Sequence, residues 1–415
     1  MQKMKSTLIF VLLTMWTSPE LKAQTDAPND SVQLDEVVVR GARVVNRTDG
    51  KLIFPSEEIA KSASSGYTLL KMLPLPNVKV DDINETVSAA NSLMGNVQVR
   101  INDVEATTAD MQSLQPKEVE KVELIDRPGV RYGENVGIVI NVITRKVTSG
   151  YVVGTSGTLV PKADMVKGNA YTKINNGYNE LSINYSGYYN HSNGMSTVEN
   201  ADYLMSDNTY NKVKRNTNDI INRNTMHDIQ ARYSWINAEG TAFLTTLSTS
   251  IDNNPRDLNK TDVAYSNGRN ATETTDNSEK TLSPLLDLYF STKIGNNQSL
   301  IANATGSYTH TDYAYLFTSD DTSFGYNTLG KAWSLKSEAI YENRMKPFTL
   351  SAGLRYAQKS IDNDYSGDAN LVSQIHSSNI YAFSQIQGSL WKIGYMIGLG
   401  LSREYYRQRE TMYDR

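Results

Sequence analysis

The feature that most constrains this chain is a period-two alternation that recurs through its second half. Residues 391–401 (WKIGYMIGLGL) place Trp391, Ile393, Tyr395, Ile397, Leu399 and Leu401 on one face and Lys392, Gly394, Met396, Gly398 and Gly400 on the other. Residues 348–356 do the same, with Phe348, Leu350, Ala352, Leu354 and Tyr356 opposite Thr349, Ser351, Gly353 and Arg355. In 179–189, Leu181, Ile183, Tyr185 and Tyr189 share a face, and Leu286, Leu288 and Phe290 alternate with Asp287, Tyr289 and Ser291. Weaker cases bring the count after residue 150 to about eleven strands. Side chains of a strand point to opposite faces in turn, so each segment has one apolar and one polar side. Strands of soluble sandwiches run about 5–6 residues, whereas a tilted strand crossing hydrocarbon needs roughly 9–11. Several segments here reach ten. Aromatic residues stand near segment ends, as at Tyr185, Tyr189, Trp235, Trp333, Tyr341, Trp391 and Tyr395, where an interfacial girdle would fall. The stretches 190–225 and 252–281 read as long polar loops, and 175–177, 237–240, 296–297 and 345–346 as short turns. Long loops on one side and short turns on the other predict a transmembrane β-barrel.

Composition narrows the remaining classes. The chain has 415 residues, a net charge of -4, no cysteine, and 25 Tyr against 8 Phe and 4 Trp. Without cysteine there is no thiolate nucleophile and no Cys-ligated metal. The near-neutral balance lacks the basic block of a nucleic-acid partner, and no internal apolar run is long enough for a helical membrane bundle. His191, His227, His310 and His376 are far apart and without ligand spacing, so no metal site, catalytic residue or cofactor is expected. The carboxylate pairs Asp81-Asp82 and Asp320-Asp321 read as loop charge. Lys3 and Lys5, an apolar run over 8–16 and the small Ala23 form an export signal cleaved before Gln24, giving residues 1–23 as signal peptide. Residues 24–49 read as a mobile tail that includes the β-prone 34–40 (LDEVVVR).

Residues 50–147 mix helices and strands. Ser64 or Ser65 caps a helix over 67–73 that Pro74 stops. Short strands follow near 77–80 and at 96–101, the latter closed by an Asn102-Asp103 turn. A second helix over 107–114, a half-buried strand over 119–125 and an apolar strand over 137–144 complete a compact α+β domain. Turn signals stand at 126–129 and 132–135.

Residues 121–145 (KVELIDRPGVRYGENVGIVINVITR) resemble the C-terminal half of the plug domain of TonB-dependent outer-membrane receptors. They carry its β-branched strand, the turn Arg127-Pro128-Gly129, Tyr132-Gly133, a turn at Gly137 and the final strand 138–144. Residues 69–78 look like the plug's early helix and Leu-Pro-Asn-Val turn, and 96–104 like its central strand. Asp35, Glu36, Val37, Val38 and Val39 are similar to a TonB box. The resemblance covers about 34–147; the second half matches by pattern, in the manner of Bacteroidota-like receptors. It implies an α+β plug (50–147) followed by an antiparallel transmembrane β-barrel (151–415) in the outer membrane. It further implies TonB and an extracellular solute as partners, and uptake of a large, scarce solute rather than enzymatic chemistry. Arg127, Pro128, Gly129, Tyr132, Gly133 and Gly137 are expected to be structural turn residues. Two departures stand out. The family's Arg-Gly-Pro order appears as Arg127-Pro128-Gly129, and a 22-stranded barrel would need about 550 residues, so an incomplete barrel and a truncated receptor are expected. A nonfunctional truncated form and a passive porin or surface adhesin without TonB coupling are the alternatives.

Overall fold

The computed structural model describes residues 42–413, apart from 48–49, 127, 133–134, 146–148, 162–163, 321 and 392. The signal segment, Asp35 to Val39, Arg127 and Gly133 lie outside the described residues.

The N-terminal α+β domain, expected above to be a plug and called so below, begins with strands β1 (Arg43–Asn46) and β2 (Gly50–Phe54) and helices α1 (Glu57–Ser62) and α2 (Gly66–Met72). A hairpin of β3 (Val78–Asp81) and β4 (Thr86–Ala89) follows, then β5 (Asn96–Ile101), β6 (Val104–Glu105) and α3 (Thr108–Ser113). Strands β7 (Val119–Ile125) and β8 (Val136–Thr144) close it. The main sheet has the order β1-β2-β7-β8-β5-β6, antiparallel except for the β5–β8 pair. β1 falls inside the stretch read above as tail; its four residues are exposed and too few to display a period.

The three helices are set by their caps. Ser56 and Ser65 accept hydrogen bonds from the backbone N–H of Ile59 and Thr68, and Thr107 with Asp110 forms a reciprocal capping box. α2 buries Leu69 and Leu70 against Ile53, Met111, Val122, Leu124, Ile138, Ile140 and Val142. β8 lies between β7 and β5 and is covered on both faces, which explains its unbroken apolar run. Asn141 interrupts that run. It is buried, donates to Asp103 Oδ1 at 2.7 Å and to Glu123 Oε2 at 3.3 Å, and accepts from the Asp103 backbone N–H at 2.9 Å, so its amide is satisfied.

The second half is one eleven-stranded antiparallel meander in strict sequence order. It comprises β9 (Ser149–Val160), β10 (Met165–Asn176), β11 (Asn179–Leu204), β12 (Tyr210–Ile236), β13 (Ala242–Tyr265) and β14 (Asn270–Gly295). It continues with β15 (Gln298–Ser319), β16 (Thr322–Arg344), β17 (Phe348–Gly367), β18 (Leu371–Leu390) and β19 (Ile393–Met412). The eleven strands expected from the alternation are present, and β9 and β19 are the two edges.

The strands are longer than the sequence announces. β11 to β14 run 24–27 residues, and the stretches 190–225 and 252–281, expected as loops, are mostly strand. They leave only the turns 205–209 and 266–269. Both faces of these outer halves are mostly polar, with isolated apolar residues such as Val213, Val263 and Ala271, so no sustained hydrophobic period marks them. Neighbouring backbones and cross-strand pairs such as the Thr217–Thr261 hydroxyl contact at 2.9 Å hold them instead. Register shifts at 193–197, 218–221, 223–225 and 254–257 twist this ribbon.

Nearer the short turns the two faces differ sharply. Leu181, Ile183, Tyr185, Ile229, Leu247, Leu286 and Leu354 point outward and remain exposed. Ser182, Asn184, Gln230, Ser234, Thr246, Glu342 and Ser351 point inward and are buried.

Candidate functional site

The inward face of the meander holds the plug through a set of polar contacts, and these form the candidate site. At its centre, Asp110 does two jobs. Oδ2 accepts from the Thr107 backbone N–H at 2.9 Å, closing the cap of α3. Oδ1 accepts from Gln230 Nε2 at 2.9 Å and pairs with Arg232 Nη1 at 2.7 Å, both on β12. The Thr107 hydroxyl donates to Gln230 Oε1 at 2.9 Å. Cap and anchor are therefore one carboxylate, so α3 and the wall are ordered together.

Three more ion pairs bridge plug and wall. Lys173 on β10 meets Glu118 at 2.8 Å. Lys167 on the same strand meets Glu85 at 2.5 Å, and Glu85 also accepts from Gln112 Nε2 at 2.9 Å. Gln112 Oε1 in turn accepts from Asn169 Nδ2 at 2.9 Å. Arg131 reaches across to Glu342 on β16 at 2.6 Å, where Arg344 Nε also donates to the same carboxylate at 2.7 Å. Glu342 is almost fully buried, and a buried carboxylate is tolerated only when paired and hydrogen-bonded. The apolar share of the interface is small: Val104 packs on Leu244 and Tyr289.

Of the described turn residues, Gly129 and Tyr132 flank the Arg131 contact, whereas Gly137, expected in a turn, lies within strand β8. Pro128 is buried. Gly129 has φ +64, and a Cβ there would fall 2.3 Å from Gln385 Oε1 and 2.8 Å from Met396 Sδ. Tyr132 lies between the guanidiniums of Arg131 and Arg100, 5.4 and 5.6 Å from its ring centre. Burial pushes its phenol above the ordinary tyrosine range, so it stays neutral. Gly137 sits against the backbone of Met94; a Cβ would lie 1.4 Å from that carbonyl oxygen. Asp110, Glu118, Arg131, Lys173, Arg232 and Glu342 were not singled out by sequence reasoning. For Lys173, Arg232 and Glu342 the available signal was charge on the polar phase of a strand; Asp110, Glu118 and Arg131 lie on helical turns and carried no such phase.

Two clefts flank these contacts. One of about 410 Å³ is lined by Asp110, Glu118, Lys173, Arg232 and Tyr289. The other, about 870 Å³, is lined by Arg131, Tyr132, Tyr289, Glu342 and Gln385. Among the described residues no group of His, Asp and Glu has the arrangement of a metal site.

Fold and interface together define a class: a small α+β domain carried on the concave, polar side of a long antiparallel wall. No protein-family model matches the chain, and no curated protein does. Among solved structures it is similar to the ferric citrate transporter FecA in its unliganded form, at 11% identity and a TM-score of 0.29 over 74% of this chain and 61% of that one. It is also similar to the copper transporter OprC (10%, 0.31, 88% of this chain and 73% of that one). A third is the ferric yersiniabactin uptake receptor FyuA from Yersinia pestis (12%, 0.23, 89% of each chain). The chain spans less than two thirds of the ferric citrate transporter. The functional reading below rests on this chain's own ladders, faces and ion pairs.

Proposed function

We propose that this protein is an outer-membrane receptor and transporter whose plug is displaced by TonB pulling on Asp35 to Val39 to admit a large, scarce solute. The observation that carries this reading is the two-faced wall. Its outward side is apolar over the length of a membrane crossing, while its inward side is polar and grips a separately cored domain. On β16, Tyr341 and Trp333 stand on the outward face eight residues apart. At about 3.3 Å per residue and a tilt of about 40° that is roughly 20 Å of height, close to the apolar band of outer-membrane strands.

The interface suits a plug that moves. Its grip is ionic and adjoins open clefts, so water can replace each pair as it separates. The plug's apolar core is internal to it and need not open. A short β-prone segment on the periplasmic side can pair with a partner strand through backbone bonds alone, which is sufficient to transmit tension.

The test is made on the full chain expressed in outer membranes. The expected result is that extraction requires detergent and that deleting residues 34–39 abolishes solute uptake while leaving the protein in the membrane. Uptake unchanged by that deletion would support a passive porin or adhesin. A mature protein that is monomeric in buffer without detergent would overturn the membrane reading.

A further inference from the structure

The inward phase of β16 is marked by Glu342, which meets Arg131 of the plug. The β15–β16 and β16–β17 ladders run without a register shift, so Phe324 and Tyr326, at even positions like Glu342, also face inward. Cross-strand partners share a face. Tyr326 pairs with Tyr315, Phe324 with Phe317, and Thr328 with both Tyr313 and Tyr365. The Tyr326 ring is the centre of this group, 5.3 Å from Tyr315, 5.8 Å from Phe324, 5.9 Å from Tyr365 and 6.2 Å from Tyr313. These rings stand on the polar side of the wall, where the preceding inward positions of β15 are Asn303, Thr305, Ser307, Thr309 and Thr311. Packing against the plug does not account for them. Gln230, which holds Asp110, leads in register through Ser248 to Leu285 on β14, and Glu279, the partner of Tyr313, stands six residues further on. At about 3.3 Å per residue the group lies roughly 20 Å along the strands from that anchor, on the side away from the short turns. Phe324, with no polar atom in its side chain, is 41% exposed there.

The same face is acidic on the strands beside the rings. Glu279 is directly opposite Tyr313, and Asp257 is opposite Asn277, itself the partner of Tyr315. Asp252 pairs with Thr281, two residues from Glu279, and Asp228 lies two residues from Gln230 on β12. Among the described residues none of these four carboxylates has an ion-pair partner; Arg215 and Arg256 are engaged by Glu199 and Asp276 instead. Lys260, Lys280 and Lys331 fall on the outward phase, and the inward Lys359 stands at the level of Gln230. Asp252 Oδ1 and Asn277 Oδ1 accept no hydrogen bond, so this part of the wall has acceptors in excess of donors. The carboxylates are spread over three strands and do not form a metal-binding group. A ring face carries negative potential and attracts cations, so the aromatic group and the carboxylates favour the same sign of charge.

We infer that the rings around Tyr326, with Asp257 and Glu279 beside them, receive a solute carrying several ammonium or guanidinium groups, of the polyamine or basic-peptide class. The ring faces hold the cationic groups and their methylene stems, and the carboxylates supply the opposite charge. A solute rich in carboxylate or phosphate meets repulsion on this wall. The inference rests on the receptor reading of the chain and names the class of solute.

The test titrates the full chain in a zwitterionic detergent with spermine, followed by calorimetry, with maltohexaose as a neutral probe and citrate as an anionic one. The expected result is that spermine binds and the other two do not. Binding should weaken about tenfold in Y315A/Y326A, as two lost ring faces imply, and survive in Y315F/Y326F, which keeps the rings. D257N/E279Q should weaken it more at low than at high ionic strength. Absence of spermine binding would overturn the inference, as would maltohexaose or citrate binding equally well. Spermine binding unchanged in Y315A/Y326A would reduce it to general attraction by an acidic chain and would also overturn it. The comparison of probes uses the unaltered protein, so it stands even where a variant misfolds. Spermine binding that persists while uptake ignores deletion of residues 34–39 would overturn the TonB-coupled reading alone and uphold this one.

Discussion

Replacing Arg232 by Gln should loosen the plug where cap and wall share one carboxylate. In the native arrangement Asp110 has Thr107 N–H, Gln230 and Arg232 around it, and Arg232 brings the only formal charge at 2.7 Å. Both side chains are nearly inaccessible, at 11% for Arg232 and 5% for Asp110. Removing one partner of such a pair leaves a buried charge and costs about 3–5 kcal/mol. The two remaining donors to Asp110 place this case at the low end, about 3 kcal/mol, which is roughly 150-fold in an opening equilibrium. The assay is amide hydrogen exchange over α3 in the detergent-solubilised full chain, with Asp110→Asn and the double variant completing the cycle. The side-chain amide that replaces the carboxylate keeps an oxygen for the Thr107 N–H, so the cycle isolates the contact with the wall. The expected coupling is about 2–3 kcal/mol. Exchange within threefold of the parent in R232Q, or a coupling below about 0.5 kcal/mol, would refute the idea that Asp110 ties α3 to the wall.

Other outcomes follow from single features. Leu247→Lys places a charge on an exposed outward position; in lipid it should cost about 2–4 kcal/mol in reversible unfolding from detergent or bilayers, and a neutral effect would argue that this face meets water. Gly137→Ala sets a methyl against the Met94 carbonyl, so the β5–β8 packing should lose about 3 kcal/mol or more, read as increased proteolysis of the plug. Asp81 is held below its ordinary value of 3.8, chiefly by the Asn84 backbone N–H and then by its side-chain amide. The ionised form is therefore the stabilising one. Its contribution to the β3–β4 turn is full above that ordinary value and disappears as pH falls through the lowered one, which exchange rates at 82–85 measured across pH 5 to about 2 would register. An unchanged turn in Asp81→Asn would contradict this.

How much of this was legible beforehand depends on which force writes the pattern. Where one face meets apolar surroundings and the other meets polar ones, hydrophobicity alternates and the strand is visible, as at 181–189 and 348–356. The α+β domain was legible for a similar reason, through Ser65 and Pro74 around α2 and the doubly covered β8. The far halves of β11 to β14 were not, because two polar faces leave no period to read. β1 was missed because four exposed residues at a sheet edge carry almost no signal. The interface was half legible. Alternation places Arg232 and Glu342 on the polar phase, but nothing local says that Asp110 lies across from a residue 122 positions later or that Arg131 lies across from one 211 later. Such pairings come from the curvature of the wall around the plug, which the chain encodes only through the summed twist of its ladders.

The strand count has a directional corollary. In a sequential antiparallel meander of eleven strands, the first and last run the same way, so β9 and β19 point in one direction. Any polypeptide that engages both by antiparallel bonding must arrive with an odd number of strands. A second copy of this sheet meets that count with its eleven strands but, inserted in the same sense, fails on direction, since its edges would lie parallel to β19 at one seam and to β9 at the other. Handedness of approach, as much as hydrophobicity, therefore decides what can seal against these two borders.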